Sequence, residues 1–288
     1  MSTVFIGLDA GATSTRALVA SASGEVVGRG RAAGANAWSS GNAPAEVIST
    51  AVTEALGRRD PSTVAGGVIA VAGAVSSVPE QAAAVVAAWR DLGFGTDPRI
   101  VLDVIGVYAA GTVAPRGVVL AAGTGAVAAL VADDRLVRRS GGRGYLVGDE
   151  GSAVWLGIEG VRAALLALDG RGPGTTLSES MPEALGVGAG DDVATAITDA
   201  VYSRSPADLG RLAPVVVAAT GTGDAVATSL IEDGARHLGD SALAAAGDET
   251  PEVVVLGGSL LTRVRPIRER VRTVLAERWP DASMEQAD

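Results

Sequence analysis

The sequence has no cysteine, no lysine and a single histidine, His237, among its 288 residues. Without cysteine the chain cannot form a disulfide, a thiolate nucleophile or a cysteine-held zinc or iron–sulfur site. Without lysine it cannot form a Schiff base or place a Walker lysine on a phosphate. His237 lies in a predicted helix and no G-x-S-x-G motif accompanies it, so we interpret it as solvent-facing rather than as a triad base. Catalysis must therefore depend on carboxylates, hydroxyls, arginine and backbone amides.

Aromatic residues are also scarce, at 3%, and the 33 acidic side chains exceed the 23 basic ones, all arginine, for a formal charge of −10. An acidic balance disfavours nucleic acid and anionic lipid, whose phosphates require cations. The sequence has no apolar run of about 18 residues and no basic segment followed by an apolar one at its start. We therefore expect a cytoplasmic protein that binds neither nucleic acid nor membrane.

The order of predicted elements is typical of an α/β protein with two domains. Residues 1–113 follow a βββαβαβα pattern, read from apolar alternation and helical spacing. A second three-strand meander begins at Gly117. Residues 114–288 then continue with several helices, a buried strand at 253–256 and a helix near 265–277. Residues 281–288 are expected to form a frayed tail.

The beginning of the chain is repeated in its second half. Both meanders place a Gly/Thr turn between two apolar strands, GLDAGATSTRALVA from Gly7 and VLAAGTGAVAALVA from Val119. The repeat predicts two halves of related fold, each with a glycine hairpin at the same place.

The two glycine hairpins are candidates for binding phosphate. In the first, Gly11 and Thr13 offer a backbone amide and a hydroxyl to phosphate oxygens, and Asp9 at the strand end can hold Mg²⁺ through water. Thr124 and Gly125 occupy the equivalent turn of the second meander. The alternative is an ordinary hairpin with Thr and Gly in its turn.

Two further candidates lie at strand ends. Asp103 follows a short strand, where a carboxylate can accept the proton of an attacking hydroxyl; the alternative is an N-cap for the helix from Val104. Gly257 and Gly258 close the last buried strand, and their missing side chains would let adenine or ribose approach the backbone. A simple glycine turn into a helix is the alternative there.

The most specific string is GGRGYLVGDEGSA, residues 141–153. Five glycines beside two adjacent carboxylates, the first of them Asp149, exceed what a turn requires. The alternative is a long loop in which Ser152 caps the next helix. In an earlier glycine-rich loop, Asn36 and Trp38 suit a sugar, whose hydroxyls need hydrogen bonds and whose C–H face packs on aromatic rings. The alternative is a loop anchored by a buried tryptophan.

These strings occur in the order found in a known family. Through DAGATSTR, NAW, LD, AGTG, GGRGYLVGDEGSAVWLG and LGGSLL, the chain resembles the N-acetylglucosamine kinase and BadF/BadG/BcrA/BcrD ATPase group of the actin-like ATPase superfamily. The resemblance implies an α/β fold of two RNase-H-like domains, residues 1–113 and 114–288, around an interdomain cleft. It also implies that ATP and Mg²⁺ bind between the hairpins and the Gly-Gly motif, and that the last helix packs back on the first domain.

The same resemblance assigns roles to single residues. It implies that Asp103 is the catalytic base and that Asp9 carries the metal. Contacts to ATP would come from a set of hairpin and turn residues: Asp9, Gly11, Thr13, Thr124, Gly125, Gly257 and Gly258. Contacts to the sugar would come from a second set: Asn36, Trp38, Gly142, Arg143 and Asp149.

Two positions depart from the family's pattern. Val127 and Arg143 stand where N-acetylglucosamine kinases usually carry an asparagine and a tryptophan. The loss of an amide and an indole makes unacetylated glucosamine as suitable as N-acetylglucosamine, and the guanidinium of Arg143 could instead favour an acidic sugar.

We therefore expect an ATP-dependent kinase of an amino sugar such as glucosamine or N-acetylglucosamine. Homodimers are common among the relatives, so the resemblance also implies a dimer. One alternative is a nucleotide-dependent sensor or ATPase of the same fold that phosphorylates no sugar. Another is a degenerate, sugar-binding regulator.

Overall fold

The computed structural model describes residues 3–11, 13–35, 43–71, 79–188, 190 and 192–287. The chain divides into two compact units, Met1–Gly106 and Val107–Asp288. The predicted domain boundary after residue 113 stays a prediction. Asn36 and Trp38 lie outside the described residues.

The first unit is a five-stranded mixed sheet with helices. Its strands are β1 (Val4–Ala10), β2 (Ser14–Ser21), β3 (Val26–Ala33), β4 (Val64–Val71) and β5 (Arg99–Leu102). Its helices are α1 (Pro44–Leu56), α2 (Pro79–Asp91) and the start of α3 (Asp103–Gly111), with a 3₁₀ turn at Pro61–Thr63. The strand order is β3-β2-β1-β4-β5; β2 is antiparallel to β1 and β3, whereas β4 is parallel to β1 and β5.

The second unit repeats this plan with more helices. Its strands are β6 (Arg116–Ala122), β7 (Ala126–Ala132), β8 (Arg135–Gly141), β9 (Val253–Gly257) and β10 (Ser283–Gln286). The helices between β8 and β9 are α4 (Ala153–Leu168), α5 (Leu177–Leu185), α6 (Val193–Tyr202), α7 (Pro206–Gly210), α8 (Ala213–Gly221) and α9 (Ala225–Ala246). Those between β9 and β10 are α10 (Gly258–Arg263) and α11 (Arg265–Arg278).

The two sheets have the same topology. In the second, β10-β9-β6-β7-β8 is the spatial order, with β7 antiparallel to β6 and β8 and with β9 parallel to β6 and β10. When the first sheet is read from β3 and the second from β8, the strands of each unit follow the same order: third, second, first, fourth, fifth. The duplication predicted from the glycine hairpins is therefore present in the fold.

The final strand, β10, corrects a prediction. Residues 281–288 were expected to be a frayed tail, but Ser283 pairs with Val253 in a parallel ladder that continues to Gln286. The Nη2 of Arg272 also donates to the Met284 carbonyl at 2.8 Å. The tail prediction was wrong because the polar residues of β10 give no strand signal; the strand is ordered by its neighbour.

Apolar side chains fill a core in each unit. Trp89 is buried in the first core and Trp279 in the second. Helix α11 packs on α9 and buries Ile267, Val271 and Leu275 in the second core. The implied packing of the last helix on the first domain stays a prediction. No helix within the described residues combines the length and apolar character that crossing a membrane requires.

Helix α1 packs closely on β3 because two residues of the strand are glycines without side chains. A Cβ at Gly30 would lie 2.0 Å from the carbonyl oxygen of Ala51, and one at Gly28 would lie 2.0 Å from that of Ala55. A real Cβ does not approach an oxygen so closely, because interiors are packed to van der Waals contact. The two glycines therefore set the distance between helix and sheet.

Replacing Gly30 with alanine should push α1 away from the sheet. We expect Gly30→Ala to lower the free energy of unfolding by about 3 kcal/mol, as overpacking does, measured by urea denaturation. Gly66→Ala in β4 is the matched control, since nothing lies within 4 Å of its Cβ position. Equal losses in the two variants would contradict a close approach at Gly30.

Asp224 joins the loop before α5 to the start of α9. Its Oδ1 accepts the Ala227 N–H at 2.9 Å and so caps the helix. Its Oδ2 accepts the Thr176 N–H at 2.6 Å and the hydroxyls of Thr175 and Thr176 at 2.8 Å each. Burial raises the pKa of this carboxyl, but the hydrogen bonds outweigh burial and lower the pKa from 3.8 to about 2.

Asp224 should therefore make the stability of the chain sensitive to acid. Because its pKa is lower in the folded than in the unfolded state, its contribution is complete above about pH 4 and is lost as the pH falls toward about 2. We expect Asp224→Asn to lower the urea midpoint at pH 7 and to flatten its fall over that window. Asp192→Asn, at the exposed cap of α6, is the control and should change less. A wild-type acid profile in Asp224→Asn would refute this account.

Candidate functional site

The first hairpin joins β1 to β2. Asp9 and Thr13 are exposed at its turn, and the Gly11 N–H donates to the Ser14 carbonyl at 3.1 Å. The Gly11 carbonyl accepts the Ala35 N–H at 3.0 Å, which ties the turn to the residues after β3. The hairpin thus presents a carboxylate and a hydroxyl to solvent from a bonded backbone.

The carboxyl of Asp9 is electrostatically perturbed. The surrounding protein desolvates it and raises its pKa, although the side chain keeps an open face to solvent. The charge of Arg16, its partner across the β1–β2 pair, lowers the pKa by a smaller amount. Ionisation of Asp9 is therefore less favourable in the folded protein than in water, and a cation beside the carboxylate would reduce this free-energy cost.

The second hairpin joins β6 to β7 and is braced by α4. Within the turn the Gly123 N–H donates to the Gly125 carbonyl at 2.9 Å. The first amides of α4 donate to the other turn carbonyls, Ala153 to Gly123 at 2.9 Å and Val154 to Thr124 at 3.4 Å. The helix start is thus bonded to the hairpin, which fixes the half-buried Thr124 and Gly125.

The carboxylate of Asp149 lies directly against this hairpin. A Cβ at Gly125 would be 2.5 Å from Asp149 Oδ2, and Asp149 Oδ1 accepts the Gly144 N–H at 3.2 Å. The residue is 9% exposed, and its φ of 58° is left-handed. Burial raises its pKa, and hydrogen bonds from the backbone of Gly144, Ala126 and Arg143 oppose that rise. The Asp149 carboxyl is therefore buried against Gly125, and any side chain at that position would collide with it.

The loop that carries Asp149 is fixed at both ends. At its start the Gly142 N–H donates to the Ala126 carbonyl at 2.8 Å. At its end Ser152 caps α4 by accepting the Trp155 N–H at 3.2 Å, as the capping alternative predicted. The cap and the positioned carboxylate coexist, so the two interpretations of this string are compatible.

The glycine turn after β9 touches the same hairpin. Gly258 has a φ of 81°, and a Cβ there would lie 2.4 Å from the Ala122 carbonyl oxygen. A Cβ at Gly123 would lie 3.4 Å from the Ser259 hydroxyl oxygen. The structure therefore brings Gly257 and Gly258 together with Thr124, Gly125 and the Asp149 loop. These residues were selected separately from the sequence.

Asp103 begins α3 at the carboxyl end of β5. It is half-buried and is the first residue of the helix, and its Oδ1 accepts the N–H of the next residue, Val104, at 2.8 Å, whereas an N-cap precedes the helix and bonds an N–H further along it. The carboxyl end of a parallel strand is also where α/β sheets place ligand-binding groups. The role of Asp103 as a base stays a prediction.

Sequence reasoning missed the support that α9 gives to the Asp149 loop. A Cβ at Gly151 would lie 2.4 Å from the Gly234 carbonyl oxygen, so the loop rests on helix backbone. Gly234 lies inside a long helix, where glycine lowers helix stability. This unfavourable residue was the signal in the sequence that another segment packs there. His237, one turn further on, is half-buried, and its ring centre lies 5.5 Å from that of Trp155, edge to face. It was predicted to face solvent, and the structure leaves it partly exposed beside this ring.

Comparison with known proteins connects this geometry to a family. The BadF/BadG/BcrA/BcrD ATPase family matches residues 6–286. The match covers both hairpins, Asp103, the Asp149 loop and the glycine turn after β9.

Curated relatives are named as amino-sugar kinases. The N-acetylmuramic acid/N-acetylglucosamine kinase of Clostridium acetobutylicum is 27% identical over 192 residues, 67% of this chain and 62% of that protein. The chain thus spans less than two thirds of that relative. The glucosamine kinase GspK of Vibrio cholerae is 27% identical over 267 residues, 91% of this chain and 86% of that protein.

A solved structure supports the fold. With a proposed N-acetylglucosamine kinase from Chromobacterium violaceum, the chain aligns at a TM-score of 0.75 and 21% identity, over 100% of this chain and 96% of that one. At this identity the likeness concerns the fold alone. The predicted α/β class with two RNase-H-like units is confirmed.

The perturbed pKa of Asp9 should be visible in stability measurements. Because this pKa is higher in the folded than in the unfolded state, ionised Asp9 costs stability above its folded pKa, and the cost vanishes below the unfolded value. We expect Asp9→Asn to raise the urea midpoint at pH 7 and to leave it unchanged near about pH 3. Asp97→Asn is the control and should lower the urea midpoint at pH 7, because a hydrogen bond from Arg90 lowers the pKa of Asp97 in the folded state. A fall in midpoint at pH 7 for Asp9→Asn would show that ionised Asp9 is stabilising.

Proposed function

The chain belongs to the BadF/BadG/BcrA/BcrD ATPase family, and on that premise we propose that it transfers the γ-phosphoryl group of ATP to an amino sugar, with Asp103 as general base. Glucosamine and N-acetylglucosamine represent the acceptor class, because the curated relatives are named for such sugars. The observation that carries the proposal is the second glycine hairpin with the Asp149 carboxylate packed against Gly125.

The hairpins would bind the phosphates of ATP. The chain has no lysine, so this binding depends on backbone N–H groups, the hydroxyls of Thr13 and Thr124, and arginine. Gly125 lets the Asp149 carboxylate approach the second hairpin, and Gly258 lets the turn after β9 approach it, since a side chain at either position would collide with these groups. Donors on a bonded backbone need little reorganisation as charge develops on the phosphoryl oxygens.

Mg²⁺ fits the first hairpin through Asp9. Within the described part of the chain, no three histidine, aspartate or glutamate side chains form a metal-binding group. Kinases nevertheless bind Mg²⁺ with one or two carboxylates, substrate phosphates and water. Asp9 is an exposed carboxylate whose partial desolvation favours a neighbouring cation. When bound, the metal supplies positive charge to the phosphate oxygens.

Asp103 would accept the proton of the sugar hydroxyl as its oxygen attacks the γ-phosphorus in line. The hydroxyl O–H bond breaks and an O–P bond forms, while the bond to the β-phosphate oxygen breaks and ADP leaves. The Val104 N–H, at 2.8 Å from Oδ1, orients the carboxylate for this role.

The sugar side of the proposal relies on two loops. Asn36 and Trp38 stand outside the described residues, and their contacts are carried over from the resemblance. Gly142, Arg143 and Asp149 belong to the fixed loop beside the second hairpin, where the Asp149 carboxylate would accept sugar hydroxyls. A homodimer is a further proposal that rests on the resemblance, and a cytoplasmic location is one that rests on the sequence alone.

Coupled ADP release with ATP, Mg²⁺ and a sugar panel tests the proposal. The panel contains glucosamine, N-acetylglucosamine, glucose and N-acetylmannosamine, and we expect an amino sugar to raise turnover. Asp103→Asn should lower kcat by at least about 100-fold, as loss of a general base does, with an unchanged urea midpoint. Asp60→Asn is the matched control in the same unit, because Asp60 also accepts a backbone N–H at a helix start, from Ser62 at 2.9 Å.

Two outcomes would contradict the proposal in different ways. Full turnover in Asp103→Asn would leave Asp103 with its hydrogen bond at the helix start and no part in catalysis. ATP turnover that no sugar raises would favour the nucleotide-dependent sensor or ATPase instead.

A further inference from the structure

The first sheet has one face whose central side chains are exposed. In β1, Val4, Ile6 and Leu8 lie in the first core beneath the helices, so Phe5 and Gly7 lie on the opposite face, the open face. We propose that the open face binds a helix of a partner protein. That helix would have small and apolar residues on the side that contacts the sheet and acidic residues along one flank. The inference does not depend on the proposed kinase function.

The centre of the open face is apolar. Gly7 is flanked by Leu18 on β2 and by Val68 on β4. Phe5 is 46% exposed, Leu18 42% and Val68 44%, and this exposed part ends at Ala70, which the start of α3 covers. A sheet face that meets only water usually carries polar side chains, whereas a contiguous exposed apolar patch marks a binding surface. The open face therefore has the composition of a contact surface.

Two glycines on the open face, Gly7 and Gly66, make room for another backbone. No atom of the described residues lies within 4 Å of a Cβ position at either of them. On the opposite face of the sheet, Gly28 and Gly30 are the places where α1 approaches. A glycine inside a strand weakens the strand and often marks such a close approach. The glycines of the open face thus allow a helix to lie close to the sheet, as α1 does on the other side.

The matching face of the second sheet shows what covers such a surface. The two sheets have the same topology, and the neighbours Gly7 and Val68 correspond to Val119 and Val255 in β6 and β9. Both of these valines are fully buried. Helix α3 lies on this face, since a Cβ at Gly111 would be 2.4 Å from Val255 Cγ1. The duplicated position thus carries a helix in the second unit and is exposed in the first.

Helix α3 also shows which residues suit this contact. It has 9 residues, a length of about 13 Å, and its sequence DVIGVYAAG is apolar and rich in small side chains. It lies so close to β9 that a Cβ at Gly257 would be 2.2 Å from Val107 Cγ1. A partner helix of at least this length, with alanine or glycine among its apolar residues, would therefore fit the open face.

Exposed arginines border the open face along β3. Arg29 lies opposite Leu18, and Arg31 lies opposite Arg16. Within the described residues no carboxylate forms an ion pair with Arg29 or Arg31, and Glu54 accepts the backbone N–H of Arg31 at 2.8 Å. Like charges opposite each other on two strands are destabilising, so acidic residues of a partner would be favourable here. Two copies of this chain packed through the open face would instead set arginine against arginine, which disfavours a second copy as the occupant.

Binding of a helical peptide tests the inference. The probe is a stapled, fluorescent helix of about 15 residues, with alanine and leucine on one side and glutamates at i, i+4 spacing along one flank. A second peptide carries lysine in place of glutamate. With the full chain, we expect fluorescence anisotropy to show that the glutamate peptide binds at least about 10-fold more tightly than the lysine peptide.

Variants of the open face test where the peptide binds. Leu18→Glu places a charge at its centre and should weaken binding of the glutamate peptide at least about 10-fold, with an unchanged urea midpoint because Leu18 is exposed. Arg29→Glu combined with Arg31→Glu should make the lysine peptide the tighter binder. Arg139→Glu is the matched control. Arg139 is exposed and lies opposite Ala129, the counterpart of Leu18 in the second unit, so this variant should change neither affinity.

Several outcomes would overturn the inference. One is that neither peptide binds the wild type, and another is that the glutamate peptide binds all the variants equally well. A third is that sedimentation shows the chain alone to be a dimer that Leu18→Glu converts to monomers, because a second copy would then be the occupant. If Leu18→Glu lowers the urea midpoint, the combined Arg29→Glu and Arg31→Glu variant decides alone. Exchange of the preferred peptide in that variant supports a partner helix, and an unchanged preference overturns it.

Discussion

Close contact between stretches of backbone is the constraint on which both units depend, and glycine makes it sterically possible. Helix α1 reaches β3 only because Gly28 and Gly30 have no side chain, and the turn after β9 reaches the second hairpin only because Gly258 has none. The Asp149 loop rests on α9 in the same way at Gly151. Since interiors are close-packed, a single Cβ at these places must displace a whole helix or loop.

Arginine takes a structural role in this lysine-free chain. Arg59 donates to carbonyls at the end of α1 and on β3, and Arg204 donates to carbonyls at the ends of α5 and α6. Arg272 holds β10 in the same manner. A guanidinium can make several such bonds at once and also complements the negative end of a helix dipole. Arg143 differs, since its side chain is exposed and makes no such bond within the described residues.

The sequence predicted what is local and missed what depends on neighbours. Apolar alternation and the repeated Gly/Thr turn were enough for both meanders and for the duplication. Helix α5 was not predicted, because Pro182 lies inside it, and β10 was missed because its polar residues become a strand only beside β9. The site shows the same limit. The GDEGS string identified Asp149, but its contact with Gly125 depends on the path of the whole loop. A carboxylate at a strand end suits both a cap and a base, so spacing alone could not separate these roles for Asp103.

The two sheets share an order but are completed over very different lengths of chain. The first sheet has all its strands by Leu102. In the second, β6 pairs with β9 (Val118 with Val254), and all the helices from α4 to α9 lie between these two strands in the sequence. Pairing strands so distant in sequence requires closing a long loop, so the second sheet has the higher contact order. During synthesis from the N-terminus, the first unit can reach its native pairing while the central strand of the second still lacks a neighbour that the ribosome has not yet made.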